Sequence, residues 1–202
     1  MPPQPFFMEK KMKYVFVNGD DNYDPPKIHL TKEYLEKYGN GDIFVETGTY
    51  LGETVDMVLE SDLYNIIHSI ELNEELYTQA QKKYENSEVV YLWKGDSVDQ
   101  LAIIVSCLND AATFWLDAHA SGPLSGGKSG GSPVLDELDI ISSSPFNDHT
   151  IFIDDVRLFG SAEWNYVTKE AAIEKIMKIN PNYNIYYLDG HERGDVLCAS
   201  VK

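Results

Sequence analysis

The stretch "DIFVETGTYLGETVDMVLE", running from Asp42 to Glu60, decides the fold. An apolar run over residues 43–45 stops at Glu46, Gly48 and Gly52 follow, and from Thr54 the apolar residues recur at helical spacing. This reads as a strand, a glycine turn and a helix. The same alternation repeats outward from it. Strand-like runs at 43–46, 66–71, 89–92, 113–116 and 150–153 are each followed by a helical pattern, at 51–60, 74–84, 97–107, 134–141 and 169–179. Such alternation predicts an α/β fold, a mostly parallel sheet with helices on both faces. Two last runs, 183–188 and 196–201, flank "DGHERGD" and read as a hairpin, which makes seven strands and places an antiparallel C-terminal strand in the sheet.

The first forty residues follow another pattern. "YVFVNGDDNYDPPKIHL" has an apolar start and a Pro-Pro break, and residues 31–38 then read as a helix. Residues 1–40 are expected to form an N-terminal extension or lid packed on a single domain spanning 41–202. No internal repeat occurs, and 202 residues suit one domain with a full core.

A formal charge of −17, with sixteen scattered Lys and Arg residues, argues against nucleic acid as a partner. A small molecule suits it better. Cys107 and Cys198 form no CxxC pair, so neither a zinc cluster nor a disulfide framework is indicated. The start "MPPQPFFMEKKMK" lacks the apolar core of a signal peptide, and no run is long enough to span a bilayer. The expectation is a soluble, cytoplasmic protein without a membrane partner.

Ligands of such sheets bind beyond the carboxyl ends of the strands. The residues there are Glu46 with Gly48 and Gly52, Glu71, Asp96 with Ser97, Asp117 with His119, and Asp154 with Asp155. Any one acid reads equally well as a helix cap, but five acidic strand ends in succession favour a site. Glycines after the first strand let a ligand approach the backbone, and an acid after the second, Glu71 in "HSIEL", suits a ribose diol. The spacing is E-x-G-x-x-x-G, without the dinucleotide pattern, and Glu46 at the mouth of the loop favours a cationic ligand over a pyrophosphate. Asp117, Asp154 and Asp155 gather three carboxylates at two adjacent strand ends, which repel unless a cation neutralises them. All-oxygen donors favour a hard divalent ion, Mg²⁺ first, with Mn²⁺ or Ca²⁺ as alternatives. The plainer reading makes one of the Asp154–Asp155 pair a helix cap or an ion-pair partner of Arg157.

"VETGTYLGET" and "SIEL" together resemble the class I S-adenosylmethionine-dependent methyltransferases, and the order of elements extends that resemblance from residue 43 to the C-terminus. It implies a Rossmann-like class I methyltransferase fold with S-adenosyl-L-methionine as cofactor. By the same resemblance Glu46, Gly48, Thr49, Gly52 and Thr54 line the methionine and ribose portion, and Glu71 takes the ribose hydroxyls. Leu72, Asp96 and Ser97 lie beside adenine, and Asp117 borders the cofactor. Trp93 either flanks the adenine ring or packs in the core. "FWLDAHASG" and "IFIDDVRLF" resemble, more narrowly, the metal-dependent sugar O-methyltransferases of the macrocin and aminocoumarin type. That family carries D-x-D after strand four and Asp-Asp after strand five, matching Asp117-Ala118-His119 and Asp154-Asp155. Its general base falls on His119, which departs from the family's second acid; an imidazole suits the task because it titrates near neutrality. The implied mechanism is direct displacement, in which a metal-acidified hydroxyl gives its proton to His119 and its oxygen attacks the sulfonium methyl. The overall character is also similar to small methyltransferases of large algal DNA viruses that decorate capsid glycans. The implied acceptor is a glycan with vicinal hydroxyls, of a rhamnose-like deoxysugar kind.

Other readings stay open. A catechol-type O-methyltransferase would use the same cofactor, and a binding module of the same fold would lack the reaction. "GPLSGGKS", from Gly122 to Ser129, satisfies the P-loop pattern letter for letter and would make Lys128 and Ser129 phosphate and magnesium ligands. Gly130, Gly131, Ser132 and Pro133 separate that pair from the next helix, whose expected N-cap is Ser132, so a mobile glycine-rich lid fits better. A short-chain dehydrogenase is excluded, because its Tyr-x-x-x-Lys pair appears only as "YDPPK", where two prolines forbid the helix.

Overall fold

The computed structural model describes residues 12–14, 23–118 and 131–202. The seven expected strands all form, as β2 (Ile43–Thr47), β3 (Ile66–Glu71), β4 (Val90–Lys94), β5 (Ala112–Leu116), β6 (Thr150–Ile153), β7 (Asn184–Leu188) and β8 (Val196–Ser200). A short additional strand, β1 (Met12–Tyr14), pairs in parallel with β7 at the sheet edge. The order across the sheet is β1-β7-β8-β6-β5-β2-β3-β4. Only β8 runs against its neighbours, being antiparallel to both β6 and β7. The expected α/β fold, mostly parallel with an antiparallel C-terminal strand, is therefore present.

Among the described residues six α-helices cover the faces: α1 (Lys32–Tyr38), α2 (Glu53–Ser61), α3 (Glu74–Lys83), α4 (Ser97–Cys107), α5 (Val134–Ile141) and α6 (Lys169–Ile179). Side-chain caps start four of them, with Thr31, Asn73, Asp96 and Thr168 each accepting a first-turn N–H. Two starts differ from the sequence expectation. α2 begins at Glu53 rather than residue 51, because Gly52 sits at φ 73° and serves as the cap. α5 is preceded by Pro133 at the cap position, and Ser132 Oγ accepts the Val134 N–H at 3.4 Å.

Strand alternation sorts the core into two layers. Ile43, Val45, Phe114, Ile151 and Ile153 point to one face, where they meet Leu101, Leu138 and Ile176 of α4, α5 and α6. Phe44, Ile67, Trp115 and Phe152 point to the other, against Tyr34, Leu35 and Tyr38 of α1 and Val55 and Val58 of α2. Because β2 is flanked by β3 on one side and β5 on the other, the crossovers diverge between β2 and β5. A crevice opens there at the carboxyl ends of the strands. Leu138 is fully buried between α5 and the sheet. Leu138→Ala should lower unfolding free energy by about 2–5 kcal/mol, read from urea denaturation.

Candidate functional site at the carboxyl edge of the sheet

β2 ends in a turn built by left-handed residues: Gly48 at φ 92°, Tyr50 at φ 48° and Gly52 at φ 73°. A Cβ on Gly48 would stand 2.8 Å from the Asp117 carbonyl oxygen, so only glycine lets the loops after β2 and β5 meet. Glu71, buried at the end of β3, accepts the Tyr50 N–H on Oε2 at 2.8 Å and the Asn73 N–H on Oε1 at 2.7 Å. Tyr50, Leu51 and Leu72 stay exposed around it, at 64%, 48% and 39%. Large apolar side chains left open beside a held carboxylate make a surface suited to a partly apolar ligand.

Two carboxyl groups are buried near the carboxyl end of β2, one on each face. Glu46 receives the Ser69 hydroxyl at 2.6 Å, and Ser69 in turn lies 2.6 Å from Thr49 Oγ1. Burial pushes Glu46 up to about 8; its hydrogen bonds to Ser69 and Thr54 oppose that, and the charges of Asp117 and Glu71 add to it. On the other face Glu137 of α5 is hydrogen-bonded to Ser97 and Thr47, and burial raises it to about 7. Its Oε1 has no partner among the described residues. Glu137 was not anticipated from the sequence, where it reads as one polar position of an amphipathic helix. Asp96 caps α4 through the Val98 N–H, and Ser97 begins that helix. Trp93 turns to His68, donating to Nδ1 at 3.1 Å, and packs against the core; burial lowers His68 to about 4, which leaves it the neutral acceptor.

Beyond the Gly48 turn lies a cleft of about 260 Å³ lined by His29, Thr49, Thr54, Asp117, Asp154, Asp155 and Arg157, among others. His29 Nδ1 is 2.7 Å from Asp154 Oδ2, and that hydrogen bond raises the imidazole pKa against the opposing effect of burial. Asp155, left-handed at φ 56°, pairs with the Arg157 guanidinium, which also holds Asp195. The anticipated ion pair with Arg157 is therefore present. Donor atoms of His29, Asp154 and Asp155 all lie within 4.8 Å of one another, a spacing compatible with one cation. Asp117, expected as the third ligand, lines the same cleft and is not part of that close group. His29 escaped the sequence reading because a single histidine between a Pro-Pro break and a helix cap carries no spacing signal. His119 and the Gly122–Ser129 loop lie outside the described residues.

The sequence matches no protein-family model and no curated protein. Solved structures do resemble it. An O-methyltransferase from Bacillus cereus in complex with SAH is 14% identical and aligns over 85% of this chain and 78% of its own, with a TM-score of 0.56. The O-methyltransferase TomG from Streptomyces achromogenes, involved in tomaymycin synthesis and solved with SAM, is 12% identical over 80% and 74%, with a TM-score of 0.52. This is the Rossmann-like methyltransferase fold. Spermidine synthase from Thermotoga maritima shares it, at 11% identity over 82% of this chain and 54% of that one, with a TM-score of 0.52. The methyltransferase fold alone thus leaves the reaction to be argued from the site. Among the described residues no helix is long and apolar enough to cross a membrane.

The raised Glu46 gives a pH signature. Its carboxyl is protonated in the folded chain below about 8 and ionises near the ordinary carboxylate value when unfolded, so the unfolded state loses its proton first. Stability is full below the unfolded value and declines as pH rises through that window. In ligand-free protein, Glu46→Gln should therefore raise the melting temperature relative to the parent increasingly between pH 5 and about 8. A difference independent of pH would show that Glu46 ionises as an ordinary carboxylate.

Proposed function

We propose that the protein is an S-adenosylmethionine-dependent O-methyltransferase that methylates a hydroxyl of a sugar, assisted by a divalent cation. The observation that carries the reading is the junction of the Gly48–Gly52 turn, the buried Glu71 carboxylate and the acidic cleft at one crevice. Each Glu71 oxygen accepts one backbone N–H, and a carboxylate oxygen has two lone pairs, so both retain capacity for a ribose diol. Tyr50, Leu51 and Leu72 supply apolar cover for the nucleoside, with Asp96 and Ser97 at the start of α4 on its adenine side. Gly48, Thr49, Gly52 and Thr54 shape the methionine end above Glu46. When bound, the cofactor supplies a methyl group on a sulfonium centre. We assign the extension 1–40 the role of a lid; its residues 27–29 already line the cleft.

Asp117, Asp154 and Asp155 are the acids we assign to the cation, and the donor chemistry fits: two buried carboxylates after β6 and the half-buried Asp117 after β5, with Arg157 shared between Asp155 and Asp195. A divalent cation there supplies Lewis acidity to a coordinated hydroxyl. His119 is assigned the proton of the acceptor hydroxyl, and the walls of the cleft would orient the acceptor toward the cofactor. An acceptor with vicinal hydroxyls suits a cleft that can hold it by both oxygens, which favours a glycan such as a deoxyhexose.

SAH should raise the melting temperature and ATP should not; stabilisation by ATP alone would revive the Lys128–Ser129 reading. Glu71→Ala should weaken SAH binding by about 1–3 kcal/mol in calorimetry, the worth of its ribose hydrogen bonds. EDTA should abolish methylation, Mg²⁺ or Mn²⁺ should restore it, and Asp154→Asn should mimic the chelator in a radiolabelled-methyl assay. Vicinal-diol sugars should outperform isolated alcohols, and preference for catechols would redirect the acceptor assignment.

A further inference from the structure

Proximity in the cleft singles out a nitrogen donor. His29 Nδ1, Asp154 and Asp155 place their ligand atoms within 4.8 Å of one another, from an N-terminal segment and the end of β6. The 2.7 Å between His29 Nδ1 and Asp154 Oδ2 is close to the roughly 3 Å that separates adjacent ligands on an octahedral ion with about 2.1 Å bonds. We infer that His29 is a direct ligand of the divalent cation, making a mixed imidazole and carboxylate centre that prefers a first-row transition ion such as Mn²⁺ to Mg²⁺ or Ca²⁺. This rests on the metal-assisted reading above and narrows it.

The segment bearing His29 is anchored. Tyr23 Oη donates to the Gly190 carbonyl at 2.6 Å, Lys27 pairs with Glu53 of α2, and Leu30 is fully buried beneath α1. The imidazole is thus delivered to Asp154 by a strap that crosses from the β7–β8 turn to α2. Charge points the same way. Asp154 and Asp155 are 4% and 3% exposed, Asp117 faces the same cleft, and Arg157 is divided between Asp155 and Asp195. The carboxylates outnumber the cations, so a divalent ion relieves repulsion that one imidazole cannot. Imidazole then biases the metal: it suits first-row transition ions, of which Mn²⁺ tolerates a mixed nitrogen and oxygen set, whereas Mg²⁺ and Ca²⁺ take oxygen.

The test loads the full chain with Mn²⁺ alone and records pulsed EPR for directly coordinated ¹⁴N, alongside calorimetric affinities for Mn²⁺ and Mg²⁺. The expected result is a nitrogen coupling in the parent that vanishes in His29→Ala, with Mn²⁺ affinity reduced at least about tenfold and Mg²⁺ affinity reduced less. His29→Gln, which keeps a hydrogen-bonding side chain toward Asp154, separates lost ligation from lost folding and should also remove the coupling. Mn²⁺ bound without nitrogen coupling, or a coupling that survives in both variants, would overturn the role of His29 while leaving a carboxylate-held cation. Failure to bind Mn²⁺ would overturn this inference together with the metal-assisted reading, and stabilisation by SAH would still report on the cofactor site separately.

Discussion

The approach of the Gly48 backbone to the Asp117 carbonyl oxygen is the constraint on which the rest of the site depends. With no Cβ at Gly48, the loops leaving β2 and β5 come together where the crossovers diverge, and the Asp117 N–H bonds the Thr47 carbonyl at 3.1 Å. That junction sets the floor of the crevice. Glu71 is then tied to the turn through Tyr50, and Thr49 is tied through Ser69 to Glu46. A strand end, a turn and two carboxyl groups are locked into one rigid assembly without any contribution from the helices' outer surfaces.

Rigidity of this kind carries an electrostatic cost. Glu46, Glu71, Glu137, Asp154 and Asp155 are all buried, and Asp117 adds its charge to the potential felt by Glu46 and Glu137. A chain selected for stability alone would place apolar residues at such positions. Concentrating acids where the sheet opens instead creates a region that favours cationic groups, as the proposed sulfonium and divalent ion require; Glu46 itself is protonated below about 8 and adds no charge there. Among the described residues the cations lining the cleft are already engaged: Arg157 bridges Asp155 and Asp195, and Lys27 pairs with Glu53.

The methyltransferase fold is shared with a spermidine synthase as well as with O-methyltransferases, so architecture alone does not fix the reaction. In this chain the wall opposite the turn is where the strap carrying His29 reaches Asp154.

The sequence by itself determined the strands, most helices and the acids at the strand ends, because these follow from periodicity: apolar runs of four to six residues must be buried on both faces, and the polar residue that ends each run falls at the sheet edge. Glu46, Glu71, Asp117 and Asp154 were legible for that reason. The sheet edge where β1 adds itself had no such signal, being three residues long. Three further features required tertiary structure. His29 meets Asp154 across 125 positions of sequence, Asp155 shares Arg157 with Asp195 from the β7–β8 turn, and Glu137 turns under the sheet to Thr47 and Ser97. Each is a contact between side chains whose local patterns are unremarkable. Spacing along the chain records which face a residue occupies, whereas a metal or proton site depends on which faces are folded together, and only the packed chain decides that.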